Sequence, residues 1–130
     1  MTVYRSVKVV FQNSTNQVLT VQGVATLKGQ WTDKLAPKQG DEVPPQSAVT
    51  WMSESTVIGS GTSAFVRMGS VHGYIRLSWT LPWVGRFDFT PEGIPDGCRK
   101  DVNIDDRQPD AVVVSITLHD PRRGNNDRDD

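Results

Sequence analysis

Cysteine is nearly missing from this chain. The single Cys98 has no partner for an internal disulfide, which removes the disulfide-stapled secreted domains as a class. Histidine is almost as scarce, and because His72 and His119 share no ligand spacing with Cys98, no metal or other cofactor is expected. A dominant charge is lacking too. Fourteen Lys and Arg against 15 Asp and Glu leave a formal net charge of −1 with the signs interspersed, so a nucleic-acid partner has no electrostatic footing. No segment approaches the roughly 20 apolar residues that span a bilayer, and MTVYRSVKVVF has no apolar run ahead of its first charges, unlike a signal peptide. Leucine is outnumbered by valine, 6 to 17, and with 11 Thr and 11 Gly the composition favours pleated strands over helices.

The strands can be placed in order. Val7, Val9 and Phe11 alternate with Lys8, Val10 and Gln12, and the turn formers Asn13 to Asn16 lead into a second apolar and β-branched run from Gln17 to Lys28. These two read as an opening hairpin, with Gly23 as a bulge position. From Gly29 to Gln46 the periodicity disappears among Pro37, Gly40, Pro44 and Pro45, giving a long connection of the kind that often carries function. Further strands follow at Ala48 to Glu54 and Ala64 to Met68, separated by Gly59-Ser60-Gly61-Thr62-Ser63. Asp101 to Asp110 reads as loop with a short edge strand, whereas Ala111 to Leu118 is a buried central strand. The expected architecture is all-β: one antiparallel β-sandwich of about seven to nine strands over residues 1–118. His119 to Asp130 has nothing to bury and is expected to be a disordered polar tail.

The most informative stretch is Gly73 to Thr90, GYIRLSWTLPWVGRFDFT. Ile75, Leu77 and Trp79 alternate with Tyr74, Arg76 and Ser78, until Pro82 and Gly85 force a turn that carries Trp83. Alternation places Trp51 and Trp79 in the core, while Trp31 and Trp83 lie in loops, where interfacial contact and burial are both open. Tyr74 and Arg76 face away from Leu77 and Trp79; a phenol and a guanidinium can hold a phosphate headgroup, and the plainer reading is a solvated strand face. Arg86 follows the turn.

Catalytic motifs are not found. Gly59 to Ser63 lacks the Lys-Ser/Thr and the helix of a phosphate-binding loop and does not fit G-x-S-x-G. Asp101-Val102-Asn103-Ile104-Asp105 opens like a calcium loop, but Asp106 stands where that loop needs Gly and Val112 where it needs Glu. The chain is not expected to be an enzyme.

Taken together, N-S-T-x-Q, L-x-x-G-x-W, V-P-P-x-S before W-x-S-E-S, G-S-G-T-S and W-T-L-P-W-V-G resemble, in this order from about Val7 to Leu118, the aegerolysin family and related small crystal-toxin-like proteins. The resemblance implies an actinoporin-like β-sandwich, made without a signal peptide and released to act at target membranes. It further implies affinity for membrane lipid headgroups, often sphingolipids, and pore formation with a larger partner protein. Trp79, Pro82, Trp83 and Gly85 of the hairpin, Gly61 and Thr62 of the turn, and Trp31 of the loop carry it over. Leu81 and Thr80 depart from the family's usual Cys and acidic residue. The expectation is a lipid-binding, cytolysin-like protein that acts through Trp83, Trp31, Tyr74, Arg76 and Arg86. The alternatives are a soluble carbohydrate-binding, lectin-like module and a structural protein.

Overall fold

Runs that alternate at period two bury one face, and a chain built of such runs closes when two apolar faces meet. The structure, a computed structural model, describes residues 2–93 and 97–121. Ten strands lie within them: β1 (Arg5–Ser14), β2 (Leu19–Lys28), β3 (Gln30–Trp31), β4 (Glu42–Val43), β5 (Ser47–Ser55), β6 (Thr62–Ser70), β7 (Gly73–Leu81), β8 (Asp88–Glu92), β9 (Arg99–Asp105) and β10 (Ala111–His119). They form two five-stranded sheets, ordered β3-β5-β1-β10-β9 and β4-β2-β6-β7-β8. The all-β sandwich expected from the sequence is the fold observed.

Four local readings change. β1 and β2 are not a hairpin; they belong to different sheets, because the Asn13 to Asn16 segment is a corner and not a tight turn. Asn13, fully buried, donates through Nδ2 to the carbonyls of Gln17 (2.8 Å), Val43 (2.9 Å) and Pro44 (3.2 Å), and its Oδ1 accepts from the Thr15 N–H and hydroxyl. One side chain thereby satisfies the backbone of two crossing segments. Second, the sandwich is not purely antiparallel, since β1 and β10 pair in parallel from Ser6↔Ala111 to Ser14↔His119. Third, the long connection after Gly29 supplies the short edge strands β3 and β4. Fourth, the acidic stretch forms the seven-residue edge strand β9, in which Val102 and Ile104 alternate with Asp101, Asn103 and Asp105. Charged outward positions on such an edge discourage pairing with other chains.

Val112, Val114, Ile116 and Leu118 are buried as expected, and so are Trp51 and Trp79. Trp51 stacks on Phe11 at 6.1 Å and 12°. Trp79 does more than fill space. Its indole Nε1–H donates to Ser53 Oγ of the opposite sheet at 2.9 Å, the Ser53 and Thr62 hydroxyls lie 2.9 Å apart, and Thr62 Oγ1 lies 3.2 Å from the Lys28 carbonyl. Ser53 Oγ thus accepts from the Trp79 indole and from the Thr62 hydroxyl, whose one proton is shared with the Lys28 carbonyl, and the relay joins the two sheets. β10 extends through His119, whose Nε2 sits 2.9 Å from Asp101 Oδ2, and the expected tail falls mainly on residues 122–130, outside the described ones.

The corner yields a test. Asn13→Asp replaces two donors with a carboxylate facing three carbonyls, at a cost of about 3 kcal/mol or more. In the folded variant the new carboxyl's pKa is raised above its unfolded value of about 3.9, so the deficit is smallest below that pH and grows as pH rises. Urea unfolding of variant and parent at pH 4 and pH 7 measures it, and a gap independent of pH would contradict the corner's role.

Candidate functional site

β7 ends because Pro82 has no N–H for the ladder, and Gly85, at φ +121°, lets the chain turn back into β8. Sequence reasoning leaves Trp83 open between interfacial contact and burial; the structure half-buries it against the start of the chain. Its ring meets Tyr4 edge to face at 6.1 Å and 64°, and the Arg5 guanidinium sits over it, Cζ 4.0 Å from the centroid. Arg5 Nη2 donates to the Trp83 carbonyl at 2.9 Å, and Nη1 donates to the Tyr4 carbonyl at 2.9 Å and faces Asp110 Oδ1 at 3.3 Å. With its side chain only 15% exposed, Arg5 is a clamp between the start of the chain, the β9–β10 loop and this loop.

The residues that do project are aliphatic. Val84, next to Trp83, is 83% exposed; Val57 and Ile58 in the β5–β6 loop are 61% and 72% exposed; Leu27 at the end of β2 is 67% exposed. Leu27 points outward because the register between β2 and β6 slips between Thr26 and Lys28, a bulge that leaves it without a ladder partner. These segments share one end of the sandwich. A Cβ on Gly61 would overlap the Leu81 carbonyl and come within 2.7 Å of Pro82 Cα, so the β5–β6 and β7–β8 loops touch backbone to backbone. Leu27, Gly61 and Pro82 also line one cavity of about 180 Å³. At the other end Val71 is 95% exposed and Val18 44%, among Gln17, Gln22 and His72.

Two ion pairs lie at the aliphatic end, Arg5 with Asp110 and Arg107 with Asp105. Arg107 donates to both oxygens of Asp105, at 2.9 and 2.8 Å, and these hydrogen bonds hold the Asp105 carboxyl below its usual range and raise Arg107. Being exposed, the pair orders the β9–β10 loop more than it stabilises the fold. Arg86 stays exposed and, with Phe87, Ile104, Asp106 and Val112, lines an open cleft of about 510 Å³ beside the tips.

The five residues singled out from the sequence do not form one site. Trp83 and Arg86 lie at the aliphatic end. Trp31 packs on the core, edge to face with Trp79 at 6.0 Å and 70°. Tyr74 and Arg76 stand on the outer face of the β4-β2-β6-β7-β8 sheet. Leu27, Val57, Ile58 and Val84 went unremarked, although an aliphatic beside a turn glycine, as in Ile58-Gly59 and Val84-Gly85, has no strand face on which to hide.

With this geometry in hand the chain can be set beside known proteins. No family model matches it, and no curated protein sequence does. Among solved structures, the lipid-binding protein Nakanori superposes with a TM-score of 0.71 at 11% identity, covering 89% of this chain and 71% of its own. RahU, crystallised with a TRIS molecule, superposes with a TM-score of 0.59 at 13% identity, covering 89% of this chain and 96% of its own. At such identities the likeness establishes the fold.

The Trp83 clamp is open to a double-mutant cycle. Arg5→Ala and Trp83→Ala should each lower stability by about 1 to 3 kcal/mol, with a coupling of about 0.5 to 2 kcal/mol between them. Denaturant unfolding of the two single variants and the double variant gives the coupling, and strict additivity would show that the contact holds nothing.

Proposed function

We propose that this protein binds membrane lipid through its aliphatic end, as a cytolysin-like member of the aegerolysin kind, acting by binding and not by catalysis. The observation that carries this reading is the set of four exposed aliphatics on three adjoining segments at one end of the sandwich. Aliphatic tips that water must surround gain by entering the headgroup boundary, and apolar side chains gathered at one end mark a contact surface. The fold shared with a lipid-binding protein supports the same reading.

The magnitudes limit what insertion can do. Burying an aliphatic side chain is worth about 1.5 kcal/mol or more, so four supply on the order of 6 kcal/mol. Immobilising the protein takes back about 4 kcal/mol or more. Insertion alone therefore gives weak, reversible attachment, and a headgroup contact must add to it. Arg86, exposed at the mouth of the cleft beside the tips, is placed to take a phosphate oxygen. On the motif resemblance, the headgroups are of the sphingolipid type and the protein is the recognition half of a two-component pore former, binding membranes without opening them until a larger partner joins.

Val84→Asp and Ile58→Asp test the surface, because neither side chain supports the core. Each should leave the melting temperature within about 2 °C while vesicle co-sedimentation falls by roughly tenfold, the factor equivalent to about 1.4 kcal/mol. The vesicles span phosphatidylcholine, sphingomyelin and ceramide phosphoethanolamine, with trapped dye to report leakage and a glycan array run beside them. Unchanged sedimentation of both variants, or glycan binding with no vesicle binding, would overturn the proposal.

A further inference from the structure

The outer face of the β4-β2-β6-β7-β8 sheet has a different chemistry. Arg67 of β6 and Arg76 of β7 are direct cross-strand partners, a pairing that holds Cβ atoms about 4.5 to 5.5 Å apart and costs stability when the charges are alike. A neighbouring carboxylate would relieve it. Glu92 is in register with Arg76 on the far side, yet among the described residues neither arginine forms an ion pair.

Both guanidiniums instead sit over rings: Arg67 Cζ is 4.0 Å from the centroid of Tyr74, and Arg76 Cζ is 4.2 Å from that of Phe65. Phe65, Arg76, Arg67 and Tyr74 thus zigzag between two strands. A cation–π contact engages the charge and does not use up the N–H donors, which stay available to an acceptor. Arg67 gives its Nε–H to Gln22 Oε1 at 2.9 Å; Arg76 Nε is buried with no acceptor among the described residues. A buried charged donor without an acceptor is a cost the sheet could shed with Gln or Thr at this position. Tyr74 is itself fixed from behind, since Gly93, at φ +70°, comes so close that a Cβ there would lie 2.9 Å from the ring.

We infer that Arg67 and Arg76 form an oxyanion site that takes one phosphate or sulfate group between their free N–H edges. Such a group turns the repulsion between the two cations into attraction for both, and the aromatic platforms hold the forks in place before it arrives. The site does not rest on the lipid reading. Arg76 lies five residues along β7 from Leu81, which at about 3.3 Å per residue puts it roughly 17 Å from the aliphatic end, beyond the headgroups those tips would contact. A soluble phosphate, a sugar phosphate or a sulfated glycan reaches it without a bilayer.

The test uses the full chain and its Arg67→Gln, Arg76→Gln and Arg67→Lys variants, melted in sodium phosphate, sulfate and chloride at matched ionic strength. Sulfate and phosphate raise melting temperatures generally by exclusion from protein surfaces, so the measured quantity is the difference between parent and variant in the same salt. The parent should show a saturable rise at millimolar phosphate or sulfate that both Gln variants lose and Arg67→Lys keeps in part. All of these side chains lie on the outer face, so the variants should fold, with chloride melts within a few degrees of the parent; should one Gln variant fail to fold, the other Gln variant and Arg67→Lys still decide. An equal response of parent and variants would overturn the site. Co-sedimentation of Val84→Asp with phosphatidylcholine vesicles, with and without phosphatidic acid, then assigns the source. Capture that depends on Arg67 and Arg76 places the anion on a lipid, and free-anion binding alone places it on a soluble ligand.

Discussion

The contact on which the rest of the molecule hangs is the buried hydrogen-bonded relay that joins the Trp79 indole, the Ser53 and Thr62 hydroxyls and the Lys28 carbonyl. Two sheets that meet through Val, Leu and Ile alone are held by a force without direction, so their faces could shift against one another at little cost. A hydrogen bond across the interface has a direction and a length. Left unmade in the interior, the indole N–H and the two hydroxyls would each cost on the order of 1 to 3 kcal/mol, and that penalty selects one sheet alignment out of several apolar ones.

The same relay sets where the surface chemistry falls. Ser53 and Thr62 stand on either side of the β5–β6 loop, and Trp79 lies two residues before the β7–β8 loop begins, so both aliphatic loops are rooted in one hydrogen-bonded cluster. The chain's first residues then close over Trp83 through Arg5. Val57, Ile58 and Val84 therefore project from a base with little freedom, which lowers the ordering cost of meeting a surface.

Much of this was legible in the sequence where the signal is local. Period-two alternation placed Trp51, Trp79 and the Val112 to Leu118 face correctly because a strand declares its buried side within a few residues. What failed was non-local. Asn13 to Asn16 has the composition of a hairpin turn and of a corner alike; only the carbonyls of Val43 and Pro44, supplied from thirty residues away, decide between them. The parallel pairing of β1 with β10 joins the two ends of the chain, and no period in either strand announces it. The packing of Trp83 stayed open since its partners, Tyr4 and Arg5, are distant in sequence. Arg67 drew no notice beside Arg76, because a cross-strand pair exists only once the register is known.

The two surfaces share a thermodynamic signature. Four aliphatics held in water and two like charges held face to face are each unfavourable in the unliganded protein, and each would be simple to remove by substitution without touching the core. A domain of this size has a net stability of only about 5 to 15 kcal/mol, so such departures are affordable where the interior is well satisfied. Here it is: Asn13 at the corner and the Trp79 relay between the sheets leave few interior donors idle, and the buried donor without an acceptor among the described residues, Arg76 Nε, belongs to the arginine pair itself. Local rules broken at two places on the surface, above a core that keeps them, are the pattern expected when the broken rules serve ligands.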